Sequence, residues 1–152
     1  AIRTSAGDIP TVDFRSYDPG RYYWTSGGFI LFSQGIIGLR LSVALFQFIG
    51  IWLGLLSTKR AFRNRWALVL VGLLLTSWMY PRHKLFEHSL ALIGIYAALQ
   101  IIEKPVLRNY LFVGIVTGLA AFMGRNHGLY HLMSNLSLIL YLGFGGLPEH
   151  CG

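Results

Sequence analysis

Long apolar runs alternate with short polar breaks along this chain, and most of the charge sits in the breaks. Five runs, about 36–56, 66–80, 85–102, 107–123 and 129–147, have the length and polarity expected of membrane-crossing helices. The first would reach about 30 Å at about 1.5 Å per residue, the thickness of a bilayer's hydrocarbon core. The second, Trp66 to Tyr80, is short at about 22 Å, and flanking arginines with local thinning would accommodate it. Glu103-Lys104-Pro105 stops the third run, and the glycine-rich end from Phe144 to Pro148 stops the fifth. In the fourth, Gly114 and Gly118 have small-xxx-small spacing, which predicts close approach of a neighbouring helix. The pattern predicts an all-α fold, a polytopic transmembrane helical bundle.

Ahead of these runs, Ala1 to Tyr17 is polar and without apolar periodicity, as in an external loop. Asp18-Pro19-Gly20 makes a turn, Tyr22, Tyr23 and Trp24 form an interfacial aromatic cluster, and Phe29 to Phe32 continues along the surface. Residues 1–35 are therefore expected as external loop and interfacial helix, 36–148 as the transmembrane region, and 149–152 as a short tail at a truncation point. The chain opens at Ala1 with no basic-then-apolar signal segment, so an upstream helix or a removed leader is expected.

Composition agrees with a membrane protein: 54% of residues are hydrophobic and only 12% charged, against about 25% charged in soluble domains. The net charge of +7 raises nucleic acid as a partner, but the basic residues lie between apolar runs and form no soluble patch. Loop charge and lipid headgroups account for it instead, and no nucleic-acid partner is expected. A single cysteine, Cys151, excludes an intramolecular disulfide and a cysteine-based zinc site. There is no phosphate loop after a strand and no serine nucleophile elbow.

Lys59, Arg60, Arg63 and Arg65 form the densest basic cluster and mark the cytoplasmic side. Counting crossings then places the N-terminal loop, the turn from Pro81 to His88 and the turn from Gly124 to Gly128 together on the opposite face, periplasmic, extracellular or lumenal. That face collects Asp8, Asp13, Asp18, Arg21, Arg82, His83, Lys84, Glu87, His88, Arg125, Asn126, His127 and His131. Gly124-Arg-Asn-His-Gly-Leu-Tyr130 reads either as a solvated turn or as part of a polar site. Arg40, about one turn inside the first crossing, either snorkels to the interface or faces a polar cavity. An acid flanked by bases at a membrane surface suits transfer from a lipid-linked phosphate donor. The cations grip phosphate and the carboxylate takes a proton from an acceptor hydroxyl.

Asp18-Pro-Gly-Arg-Tyr-Tyr-Trp24, then Gly38-Leu-Arg40-Leu, then Gly118-Leu-Ala-Ala-Phe-Met-Gly-Arg-Asn-His-Gly-Leu-Tyr130 follow in an order that resembles the GT-C superfamily of integral-membrane glycosyltransferases. The resemblance spans about 13–140. It implies an enzyme using a polyprenyl-phosphate sugar as donor, with Asp18 as general base or as ligand of a divalent metal in members that use one. It also implies that Arg82, Lys84 and Arg125 face donor phosphate, with His83, Asn126, His127 and Arg40 as further substrate contacts. The family's acidic motif is often a pair of acids, whereas Asp18 precedes proline, which leaves Asp13 as a rival. Family members are several times longer and begin with a helix before the acidic loop. The resemblance therefore implies a fragment, completed by the remainder of a longer chain or a partner subunit and embedded in membrane lipid. Two alternatives stand beside it: a non-catalytic accessory subunit of a membrane complex, and a haem or metal bundle held by the i, i+4 pairs His83/Glu87 and His127/His131.

Overall fold

The computed structural model of the protein describes residues 1–62, 64–79 and 85–144. Among the described residues there are seven helices and no strand: α1 (Ile2–Ser5), α2 (Pro19–Phe32), α3 (Ile36–Ala61), α4 (Arg65–Met79), α5 (Glu87–Glu103), α6 (Leu107–Met123) and α7 (Arg125–Gly143). The fold is all-helical, as the apolar runs predict. Among the described residues only α3, with 26 residues, is both long and apolar enough to cross a membrane by length and composition; α4 and α6 are shorter apolar helices.

Local chemistry sets the helix ends. Pro19 opens α2, where its fixed φ suits the first helical position and its missing N–H costs nothing. Lys59 and Arg60 occupy the last turn of α3, next to its partially negative C-terminus. Arg60 also pairs with Glu103 at the end of α5, at 2.9 Å, and lies over the Tyr96 ring. Asn109 closes the α5–α6 connection by donating to the carbonyls of Gln100 and Lys104.

Helix α3 packs against α2, α4 and α5, α5 also against α6 and α7, and α6 against α2 and α7. One buried cluster joins Val43 and Phe46 of α3 to Phe86 and Leu90 beside and in α5 and to Ala120 and Met123 of α6. Phe46 lies edge-on to both Trp24 and Phe86, each at 5.1 Å. Trp24 buries its one polar atom by donating Nε1–H to the Ser42 carbonyl at 2.8 Å. A second cluster, Ala97 and Ile101 with Val113 and Val116, closes the other half of the α5–α6 seam.

Helix α3 runs five residues past its expected end, to Ala61, and two further features depart from the sequence expectations. Helix α7 begins at Arg125, four residues before the expected Leu129, because Arg125, Asn126 and His127 form its first helical turn rather than a solvated loop. Gly124 alone separates α6 from α7. The reversal is this tight because Gly128 lies directly on the backbone of Ala121, leaving no room for a side chain. Conversely, Gly114 and Gly118 have open space where a Cβ would stand, so the small-residue stripe packs on nothing among the described residues.

These glycines predict opposite outcomes. Gly128→Ala should destabilise the α6–α7 hairpin by about 1–3 kcal/mol through overpacking against main-chain atoms. Gly114→Ala should cost nothing and gain up to about 1 kcal/mol of helix propensity. Denaturant unfolding of both variants in detergent checks the contrast, and equal losses would contradict it.

Candidate functional site

One end of the bundle gathers the start of α2, the end of α4, the starts of α5 and α7 and the residue linking α6 to α7 around a cleft of about 670 Å³. Its charged lining is Asp18, Arg21, Glu87 and Arg125.

Arg21 is the centre of this arrangement. Its Nε–H donates to the Met123 carbonyl at 2.8 Å, one of the carbonyls left without a helical partner at the end of α6. Nη1 pairs with Glu87 Oε1 at 3.1 Å and Nη2 with Asp18 Oδ2 at 3.1 Å, while the guanidinium carbon lies 5.8 Å from the Phe86 ring centroid. All three side chains are about a quarter exposed or less, so these pairs are stronger than surface ion pairs. Glu87 opens α5 and suits the partial positive charge there.

Asp18 performs an unusual cap. It precedes α2 and pairs with Arg21 there, but its side chain caps no backbone N–H of that helix. Instead its Oδ1 accepts the backbone N–H of Arg125, the first residue of α7 and 107 positions away, at 3.2 Å. A carboxylate is thus supplied to an orphan donor at a helix start by a different element.

The sequence-predicted residues divide three ways. Asp18, Arg125, Asn126 and His127 line the cleft together. Asp13 does not: its carboxylate accepts the Ile9 N–H at 2.6 Å, in a small N-terminal knot where Arg3 pairs with Asp8 and lies over Phe14. Arg40 is exposed on α3 and is not part of the cleft lining. Arg82, His83 and Lys84 lie outside the described residues, and so does the His83/Glu87 pairing. Sequence reasoning gave no role to Arg21, although its spacing of three from Asp18 places the two on one helix face. Arg21, Glu87 and His88, which the count of crossings places on this face, line the cleft together with Tyr130, and Trp78, which no sequence reading named, joins them.

The donors present do not suit a divalent cation. Arg21 stands between Asp18 and Glu87, and among the described residues no group of three or more histidine, cysteine or acidic side chains could hold a metal ion. His127 and His131 do share a face of α7, but His127 lines the polar cleft while buried His131 lines a separate apolar pocket, set against Gly94. No family model, curated protein or solved structure matches this chain.

The two arginines differ in duty. Arg21 is committed to three partners, whereas the Arg125 guanidinium has no carboxylate partner among the described residues. Arg21→Met should therefore lower the unfolding free energy by about 2–3 kcal/mol, between the values for exposed and buried ion pairs. Arg125→Ala should stay within about 0.5 kcal/mol of the parent. Thermal unfolding of the two variants decides it, and a larger loss from Arg125 would reverse the assignment.

Proposed function

We propose that this chain is the membrane-embedded part of a GT-C-type glycosyltransferase that moves a sugar from a polyprenyl-phosphate donor to an acceptor hydroxyl. The observation that carries the reading is the seating of Asp18 on the start of α7, 107 positions away, inside a cleft that Arg125, Asn126 and His127 also line. These residues come from the first and last of the three segments in which the resemblance lies.

In this reading Asp18 is the general base. Its Oδ1 accepts the Arg125 N–H and its Oδ2 is ion-paired with Arg21, and a carboxylate offers about four lone-pair sites, so capacity remains for an acceptor hydroxyl. The acceptor oxygen attacks the anomeric carbon as its proton passes to Asp18. The bond from that carbon to the phosphate oxygen breaks, and the phosphate leaves with the electron pair. Arg125, whose guanidinium has no carboxylate partner among the described residues, meets the growing phosphate charge by paired hydrogen bonds. Arg21 holds Asp18 in place and is a positioning residue. No step needs a metal.

The same reading makes α3 to α7 membrane spans, with the cleft on the external side and the Lys59–Arg60 end on the cytoplasmic side. Exposed apolar side chains support it on three helices: Leu70, Leu73 and Leu74 of α4, Ile115 and Leu119 of α6, and Leu132, Leu136 and Leu140 of α7. Lipid would cover what water would otherwise meet. Helices α4 to α6, at 15 to 17 residues, would need local thinning of the bilayer. The proposed partners are membrane lipid, the lipid-linked donor and the remainder of a longer chain or a partner subunit.

Two outcomes are expected. In the protein reconstituted with any partner it requires, Asp18→Asn should keep the Arg125 N–H bond through the amide oxygen. It should also reduce transfer from a prenyl-phosphate sugar by about 10²–10⁴-fold; undiminished transfer would take Asp18 out of the chemistry. In a Cys151→Ser background, Asn126→Cys and Tyr17→Cys should react with an impermeant maleimide from one side of the membrane and Lys59→Cys from the other. Labelling of all three from the same side would refute the spans.

A further inference from the structure

Proton transfer and phosphate binding leave one part of the cleft lining unused. Trp78, next to the last residue of α4, stands edge-on to His88, with ring centroids 4.2 Å apart and planes at 66°. Tyr130 of α7 meets His127 in the same manner, at 6.0 Å and 84°. All four rings line the cleft, and Trp78 and Tyr130 are 49% and 61% exposed, so each has surface to offer a ligand. His88 Nδ1 is buried and has no hydrogen-bond partner among the described residues. A buried ring nitrogen that the described residues leave open is one that a ligand in the cleft can satisfy.

Charge narrows the ligand. Among the described lining residues the formal charges cancel, two guanidiniums against two carboxylates, and Arg21 is already committed to both acids. A polyanion would find one uncommitted cation, Arg125, beside two like charges. An uncharged ring rich in hydroxyls meets no such repulsion. Its C–H faces suit aromatic surface, and its hydroxyls both donate to and accept from imidazole and amide groups. The cleft volume, about 670 Å³, lies within the range of about 300–1,000 Å³ typical of small-molecule sites.

We infer that the cleft holds an uncharged hexopyranose ring against Trp78 and Tyr130, hydrogen-bonded to His88 and Asn126, and excludes acidic sugars. The inference rests on the sugar-transfer reading for its ligand class, and adds to it the kind of sugar and the residues that select it. Asp18 and Glu87 supply the exclusion, because a uronic acid's carboxylate would lie near theirs, with Arg125 the one uncommitted cation among the described lining residues.

The test is saturation-transfer NMR on the full chain in nanodiscs, using the methyl glycosides of glucose, galactose and mannose and methyl glucuronide. At least one neutral glycoside should receive saturation at its ring C–H protons, and the glucuronide should not. Trp78→Ala should weaken that binding by about fivefold, the scale of one aromatic stacking contact. Trp78→Phe, which keeps an aromatic face, should restore most of it and so exclude misfolding as the cause. Absence of transfer to every neutral glycoside would overturn the inference, as would an equal signal from the glucuronide or full binding by both Trp78→Ala and Tyr130→Ala. Glycoside binding in a protein that transfers nothing from a prenyl-phosphate sugar would refute the transfer reading while upholding the sugar site.

Discussion

A single guanidinium holds the polar end of this molecule together. Arg21 reaches the carbonyl at the end of α6, the carboxylate at the start of α5 and the carboxylate that precedes its own helix. That last carboxylate continues the chain of contacts to the start of α7. Four helices thus meet through one side chain and one acid. Arginine suits the position because its planar fork offers five donors in fixed directions, which a lysine ammonium could not match. Removing the cation would leave Asp18 and Glu87 facing each other, a like-charge contact in a half-buried place.

The electrostatics follow from the way the helices alternate. The starts of α2, α5 and α7 lie at the cleft, each with partial positive charge from N–H groups that lack an intrahelical partner, and the two lining carboxylates sit beside the second and third of these. The end of α6 presents carbonyls instead, and there the cation donates. Asp18, Glu87 and Arg21 therefore each answer a helix terminus as well as an ion of opposite sign. At the far end of the bundle the pattern recurs in simpler form, with Arg60 in the last turn of α3 joined to Glu103.

Much of this was legible in the chain. Pro105 and Gly124 punctuate the fourth apolar run so sharply that α6 occupies 107–123, as the pattern predicts. The segment after Asp18 is likewise a helix, opened by its proline. The start of α7 was not legible. Gly-Arg-Asn-His-Gly has the composition of a turn, and what makes it helical is a cap from Asp18, far away in sequence. Arg21 escaped for a similar reason: its partners Glu87 and Met123 are 66 and 102 positions away, and no local pattern points to them. Gly114 and Gly118 misled in the other direction, because spacing shows that a close approach is allowed, not that a neighbour is there. The grouping of Asp18 with Arg125, Asn126 and His127 was accessible because it needs only the parity of helix reversals, not their geometry.

The one-residue junction at Gly124 has a kinetic consequence. Met123 on one side of it receives Arg21, and Arg125 on the other donates to Asp18, so the first turn of α2 grips both flanks of the same reversal. Neither hinge half can swing without releasing the other. Opening at this end of the bundle is therefore concerted, with the α6–α7 hairpin leaving the α2 terminus as a rigid body rather than fraying one helix at a time.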